Sequence, residues 1–477
     1  MDAPTSDGWR SPPRRPPGPR GVPLLGNLLA LGKDPLRFFP EMADRYGDFV
    51  SLNLAGWKAL FVSDLPATEK VLVQEHRNYI KHTFFWRHVT AVFGKGLLTS
   101  EGALWQRQRR LAAPAFAGEQ LRAYDDAMVT LTRRMLDGWK DGEIINIHPE
   151  MMGLTLRIAA KTLFDSEVEQ DIRDMDGAVN DLIVEIASRY KRPILIPDAF
   201  PLPGHLRYQQ AIRTAERVVS SMIAERRKGG LDHRNDFLSR LMTARDEAGK
   251  PMSDSLLRDE AITLLLAGHE TTALALSWTW FLLGQYPGVE ARMAAEIAEV
   301  LGDRPVTADD LPRLKFTESV VMEAMRLYPP AWAIGRESVQ PFELGGYSFE
   351  AGTTIFIIPW VLHRNPHYFQ DPETFRPERW MGDLERKLPR FAYMPFGGGP
   401  RVCIGQRFAM MEAVLVLTTM AQRFSMEWLP DRKVTPFPSI TLRPQGGVWL
   451  KIKEHPTLNG RSGGIEPSLG NSRGQVA

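Results

Sequence analysis

The chain has 477 residues and a formal net charge of +2, with 59 Lys and Arg against 57 Asp and Glu. That balance excludes a surface built broadly for nucleic acid, and 43% hydrophobic with 24% charged residues are the proportions of a folded globular protein. A single cysteine excludes an internal disulfide and a zinc site built on cysteines.

In chain order, the first twenty residues are polar and rich in Pro and Arg, which predicts a flexible segment. Val22 to Leu31 is too short, and too broken by Gly26 and Asn27, to span a bilayer. Arg14-Arg15 lacks the apolar run of an export signal. Apolar patterning predicts strands over Phe49 to Leu54 and Ala59 to Ser63, a hairpin over Phe342 to Phe349, and a strand from Thr354 to Ile358. In Trp105-Gln-Arg-Gln-Arg109-Arg-Leu, the spacing i, i+4 turns two donors to one helix face. Taken alone, Arg107, Arg109 and Arg110 are an ordinary basic face.

The apolar stretch from about Leu256 to Gly284 predicts one continuous helix, capped at Ser253 or Asp254 and ended before Pro287. Some 30 residues span about 45 Å, enough to cross a domain. Hydropathy alone would take Thr263 to Leu283 for a membrane span. His269 and Glu270 would then sit near mid-bilayer, where a charge costs roughly 2.5–3.5 kcal/mol, so a central core helix is the better reading. Its run Ala267-Gly268-His269-Glu270-Thr271-Thr272 sets a small residue, an acid and two hydroxyls into that apolar helix. Packing does not call for them. A cofactor pressed on that face does: Gly268 permits close approach, and Glu270 and Thr271 can relay protons.

Further on, Glu323 and Arg326 share a helix face within Phe316 to Tyr328, and Pro329 and Pro330 stop the helix. A solvated pair there would be worth under about 1 kcal/mol. The segment's other residues are largely apolar, so the pair is expected to face protein and to need partners. Phe375-Arg-Pro-Glu-Arg379-Trp supplies a candidate. The lone thiol lies in Phe396-Gly-Gly-Gly-Pro-Arg401-Val-Cys403-Ile-Gly405, a glycine-rich loop just before a helix. Backbone N–H groups there favour the thiolate, the form that binds metal. An isolated cysteine is more often a small buried hydrophobe; the motifs upstream argue against that here. No linker interrupts the chain, and the tail from about Leu458, rich in Gly, Ser, Asn and Pro, is expected to be disordered.

Together and in this order, the motifs resemble the cytochrome P-450 family, from Pro16 to about Lys453. The resemblance implies a mainly α fold with a smaller β-rich lobe. It implies one haem domain over 21–455, a flexible 1–20 and a disordered 456–477. The haem would lie between the long central helix and the cysteine loop with its following helix. It further implies haem b held by the Cys403 thiolate, which pushes electron density toward O–O cleavage. Trp105, Arg109, Arg401 and Arg336 would meet the propionates, with Ala267, Gly268, Phe396 and Gly405 also against the cofactor. Glu270 and Thr271 would deliver protons. Glu323, Arg326 and Arg379 would form a buried structural triad. His269 is not expected to bind iron, since the thiolate fills that role.

The activity implied is monooxygenation of a lipophilic small molecule such as a fatty acid, terpenoid or steroid, using O2. Two rivals are a peroxygenase or isomerase of the same haem-thiolate type, and a haem-binding protein without turnover. The pocket is expected from the segment around Phe84 to Leu98, with Phe84, Phe85, Trp86 and Val89, from Leu264 to Thr271, from Ala331 to Ile334, and near Phe437 to Ile440. Arg189, Lys191 and Arg192 are a candidate carboxylate clamp at its mouth, against the plainer reading of a solvated loop. Electrons would come from NAD(P)H through a separate ferredoxin or flavodoxin and its reductase. Arg107, Arg110, Lys387, Arg390 and Arg407 offer a basic face to an acidic carrier. No nucleic acid or membrane span is expected, and the protein is expected to be a cytoplasmic monomer.

Overall fold

The computed structural model describes residues 15–166, 168–191, 200, 202–228 and 236–455. The tail expected to be disordered, 456–477, lies outside these residues, as does the start of the segment expected to be flexible. Residues 15–20, however, are packed: Pro16 is buried, and Ser51 N–H donates to Pro17 O at 2.9 Å. A Cβ on Gly18 would lie 2.0 Å from Ser51 O, so residues 15–20 run against a strand.

Twelve strands are described. They are β1 Phe49–Leu54, β2 Trp57–Val62, β3 Tyr79–Ile80, β4 Ile144–Asn146, β5 Ile334–Ser338, β6 Phe342–Leu344, β7 Tyr347–Phe349, β8 Thr354–Ile357, β9 Phe424–Trp428, β10 Thr435–Pro438, β11 Leu442–Gln445 and β12 Trp449–Glu454. The main sheet has the order β1-β2-β8-β5-β3. Ala55 and Gly56, both at positive φ, make the two-residue turn that joins β1 to β2. Only β2 and β8 run parallel, with Ala59 opposite Thr354. β10 and β11 form a separate hairpin, with Thr435 opposite Gln445 and Pro438 opposite Leu442.

The helices that build the site are α1 Phe84–Phe93, α2 Gly102–Ala112, α3 Ile147–Phe164, α4 Glu169–Lys191, α5 Pro203–Lys228, α6 Asp254–Gln285, α7 Lys315–Leu327 and α8 Gln406–Ala421. The Ser253 hydroxyl caps α6 by accepting from Leu256 N–H. At 1.5 Å per residue this helix is about 48 Å long. It is apolar all round, and helices of that kind are surrounded rather than laid on a surface. α3, α7 and α8 pack on it, and their buried residues form the largest core cluster. Among the described residues, no helix is long and apolar enough to cross a membrane.

Candidate active site

The cysteine loop is a backbone device. Gly397 and Gly399 have φ of 74° and 68°, a region that favours glycine. A Cβ on Gly399 would lie 2.0 Å from Leu72 O. The turn brings Cys403 N–H to Phe396 O at 3.0 Å, and Gly405 caps the start of α8. Cys403 keeps accessible surface although protein surrounds it closely. Burial pushes its thiol pKa up. Gly405 N–H, Arg109 and Lys81 act the other way, as a thiolate ligand requires.

Beside the sulfur lies a cluster of cations. Arg401 donates to Ser100 O at 2.8 Å, pairs with Glu101, and stacks 4.1 Å from the Trp105 ring. Its Nη1 is buried with no partner. Arg109 donates to Val402 O at 2.9 Å, bracing the cysteine loop from α2. Arg336 is buried, and its guanidinium donates to Gly335 O. Lys81, which the sequence did not single out, is pushed down to about 7 by burial and then by Arg336 and Arg401. Four cations face Glu101 and one thiol. Three guanidinium groups and Lys81 thus have only one carboxylate and one thiol among them, which leaves surplus positive charge. The propionates of haem would meet that surplus, so the residues present fit haem by the sign of their charge and by the orphaned Arg401 nitrogen.

On α6, Thr271 Oγ1 donates to Ala267 O at 2.9 Å, and Thr272 Oγ1 to Gly268 O at 3.2 Å. A Cβ on Gly268 would meet Leu163 Cδ1 of α3 at 3.8 Å, an ordinary contact. Glu270 is no free acid beside Thr271. Its Oε1 accepts from Thr441 Oγ1 at 2.7 Å and Arg443 Nε at 2.9 Å, on the β10–β11 hairpin. Arg443 Nη2 is equally near but lacks hydrogen-bond alignment. The His269 ring is fully buried, with both nitrogens unpartnered and its pKa pushed down by burial. Among the described residues, no group of three His, Cys, Asp or Glu side chains could hold a metal.

The structure brings Glu323, Arg326 and Arg379 together. Arg326 grips Glu323 through two bonds of 2.9 Å, and Arg379 Nε donates to Glu323 Oε1 at 2.9 Å. Trp380 Nε1 and Arg376 N–H also donate to Glu323. Arg326 spends its remaining donors on the carbonyls of His363, Pro372 and Thr374. Both members of the α7 pair are 0% exposed, so every charge in this knot is partnered.

A cavity of about 360 Å³ lies between residues 28–39, the start of α1, residues 332–335 and the β10–β11 hairpin. Val89 and Ile440 line it, with Trp86, Trp332, Ala333 and Phe437. Of the expected pocket residues, Ala331 and Ile334 do not line it; Ile334 lies instead by Gly397 of the cysteine loop. No residue of Leu264 to Thr271 lines it either. The side chains of Phe84, Phe85 and Lys191, and all of Arg192, lie outside the described residues. Arg189 is neither clamp nor solvated loop: it is buried on α4, ion-paired with Glu185 and stacked 4.2 Å from Tyr208 on α5.

The basic face is largely neutralised. Arg107 pairs with Asp246, Arg110 with Glu247, Lys387 with Asp383 and Arg390 with Glu69. Arg407 is exposed. Lys81, Glu101, Thr441 and Arg443 were missed because each reaches the site from a segment with no local signature. A lysine after a two-residue strand looks solvated from sequence alone.

One cysteine on a glycine-rich turn, next to a cationic cluster with an orphaned guanidinium nitrogen, is the arrangement of a haem-thiolate protein. The family described as Cytochrome P450 matches residues 16–451. The chain is 37% identical to cyclooctat-9-en-7-ol 5-monooxygenase of Streptomyces melanosporofaciens, over 88% of this chain and 92% of that one. It is 36% identical to cyclooctatin synthase of the same organism, over 89% and 92%. Identity to pentalenene oxygenase of Streptomyces avermitilis is 33%, over 88% and 92%. The chain belongs to the cytochrome P450 family. It is a haem-dependent monooxygenase, and its one cysteine is the axial thiolate.

Proposed function

We propose that this monooxygenase oxidises a cyclic terpenoid, with electrons from NAD(P)H carried by a separate ferredoxin or flavodoxin and its reductase. The observation that carries the reading is the cavity walled by Trp86, Val89, Trp332, Phe437 and Ile440, largely apolar with Lys33, Asp34 and Gln445 also on it, and one residue along the chain from the Thr441 that holds Glu270. Its volume falls in the usual range of small-molecule sites. The relatives named for cyclooctat-9-en-7-ol and pentalenene support the same substrate class.

When bound, haem supplies O2 activation and transfer of one oxygen atom to a C–H bond. Cys403 would hold the iron, with Gly405 N–H, Arg109 and Lys81 favouring its thiolate. Arg401, Arg336, Lys81 and Arg109 would bind the propionates, and Trp105 would keep Arg401 in place. Thr271 would hold a proton at its hydroxyl, and Glu270 would supply it. The triad Glu323, Arg326 and Arg379 would keep α7 fixed to the segment that precedes the cysteine loop.

Binding is read as a spin-state shift of the ferric protein with pentalenene, cyclooctat-9-en-7-ol and lauric acid. Turnover is then followed with NADPH, a surrogate ferredoxin and its reductase. Terpenoid shifts and an oxygenated terpenoid product are expected. A shift and product with lauric acid alone would replace the substrate class by fatty acids. In the same assay Thr271→Ala should lower product per NADPH by about 10²-fold or less, the lower end of general acid–base contributions. Unchanged coupling would favour a peroxygenase.

A further inference from the structure

Glu270 is oriented from outside its own helix. All the hydrogen bonds to its side chain described above fall on Oε1, and both donors come from the far end of the chain, Thr441 and Arg443. One turn of chain carries both these donors and part of the cavity wall. Ser439 and Ile440 line the cavity, and the next residue, Thr441, grips the acid. The hairpin is tied down on either side of Thr441. Trp332 Nε1 donates to Ser439 O and Trp278 Nε1 to Leu442 O, both at 2.9 Å, and Leu442 N–H donates to Pro330 O at 3.0 Å. Trp332 is itself a cavity residue.

We infer that Thr441 and Arg443 are positioning residues that aim the Glu270 carboxyl, and that the β10–β11 hairpin carries occupancy of the adjacent cavity to that acid. The inference rests on the reading of Glu270 as proton supplier. A ligand against Ile440 that shifts the hairpin tip must also move Thr441, to which Ile440 is bonded, and so loosen or tighten the grip on Oε1. The grip is firm because it is charge-assisted and largely enclosed, with Glu270 12% and Arg443 14% exposed. The other titratable groups facing the pair are His148 on α3 and His269 on α6. Burial lowers both pKa values, that of His148 to about 4, so Arg443 is the cation opposite Glu270 near neutral pH.

The competing role is a strut that merely fastens the hairpin to α6. The test uses the haem-loaded full chain with NADPH, surrogate ferredoxin and reductase, and pentalenene as probe. Arg443→Gln and Thr441→Val should raise peroxide released per NADPH several-fold, and should change the solvent isotope effect of turnover, as loss of an oriented acid does. Pentalenene affinity, read from the spin-state shift or by equilibrium dialysis, should move less than about twofold, because a positioning loss falls on the chemical step. Arg443→Lys should restore the peroxide ratio. Amide exchange over residues 435–445 should speed up in Arg443→Gln, and in the wild type pentalenene should alter exchange at 441–445.

A strut would leave the peroxide ratio and isotope effect of Arg443→Gln unchanged at normal haem content, or leave Arg443→Lys no better than Arg443→Gln; either result overturns the inference. Glu270→Gln separates the two readings. If it raises peroxide while Arg443→Gln does not, only the hairpin role falls. If Glu270→Gln changes nothing, proton supply by Glu270 falls and the hairpin role with it.

Discussion

Two clusters of arginine, one about Glu323 and one about Arg401, differ in how they are completed. Around Glu323, every charge has its partner: one carboxylate meets Arg326 and Arg379, and leftover guanidinium donors meet backbone carbonyls. Around Arg401, four cations share Glu101 and one thiol, and one guanidinium nitrogen is buried without a partner. Burying an unpaired charge costs several kcal/mol. A closed knot therefore holds a fold together, whereas an open one marks where an anion binds. The contrast separates residues that keep the protein folded from residues that keep it loaded.

Breaking the closed knot should have the largest effect. Glu323→Ala leaves two buried arginines unpaired and should cost about 3–5 kcal/mol of stability, seen as loss of the folded protein or a large fall in denaturation midpoint. A loss below 1 kcal/mol would mean the knot is not the fastener its geometry describes. Opening the other cluster further should be milder for the fold and specific to the cofactor. Arg401→Met should speed haem transfer to an apoglobin acceptor by about tenfold or more, from the 1.5–3 kcal/mol of a charge-assisted hydrogen bond. Its far-ultraviolet dichroism should stay unchanged.

The same contrast predicts a pH signature. Lys81 has its pKa lowered in the fold from 10.5 to about 7. Between those values the folded apoprotein binds fewer protons at Lys81 than the unfolded chain does. Apoprotein stability at this site should therefore rise with pH across that window. Propionates favour the charged ammonium, so haem loading takes up a proton, and haem affinity should fall by up to about tenfold per pH unit above 7. Lys81→Met should flatten both trends, measured by apoprotein denaturation and haem titration between pH 7 and 10. The smallest effect belongs to the exposed pairs. Arg110→Ala, which breaks the contact with Glu247, should change stability by less than about 1 kcal/mol.

What could be read from the sequence was whatever repeats a local pattern. The apolar run around Ala267 predicted a helix from Leu256 to Gly284, and the structure extends it only to Asp254–Gln285. The spacing of Glu323 and Arg326 predicted a pair facing protein, and the apolar neighbours explain why it is fully buried. Contacts between distant segments were hidden. Thr441 and Arg443 reach Glu270 across more than 170 positions, and nothing in a short hairpin announces an acid's partner. Lys81 was hidden for the same reason. Arg189 was read as a loop cation, whereas helix packing buries it on Tyr208.

The most direct test is the carbon-monoxide difference spectrum of the dithionite-reduced protein, recorded beside Cys403→Ser. A strongly red-shifted Soret band in the wild type, absent from Cys403→Ser, is expected if Cys403 is the thiolate ligand and the cationic cluster holds the haem. A wild-type band at the ordinary histidine-ligated position, or no haem retained at all, would contradict it.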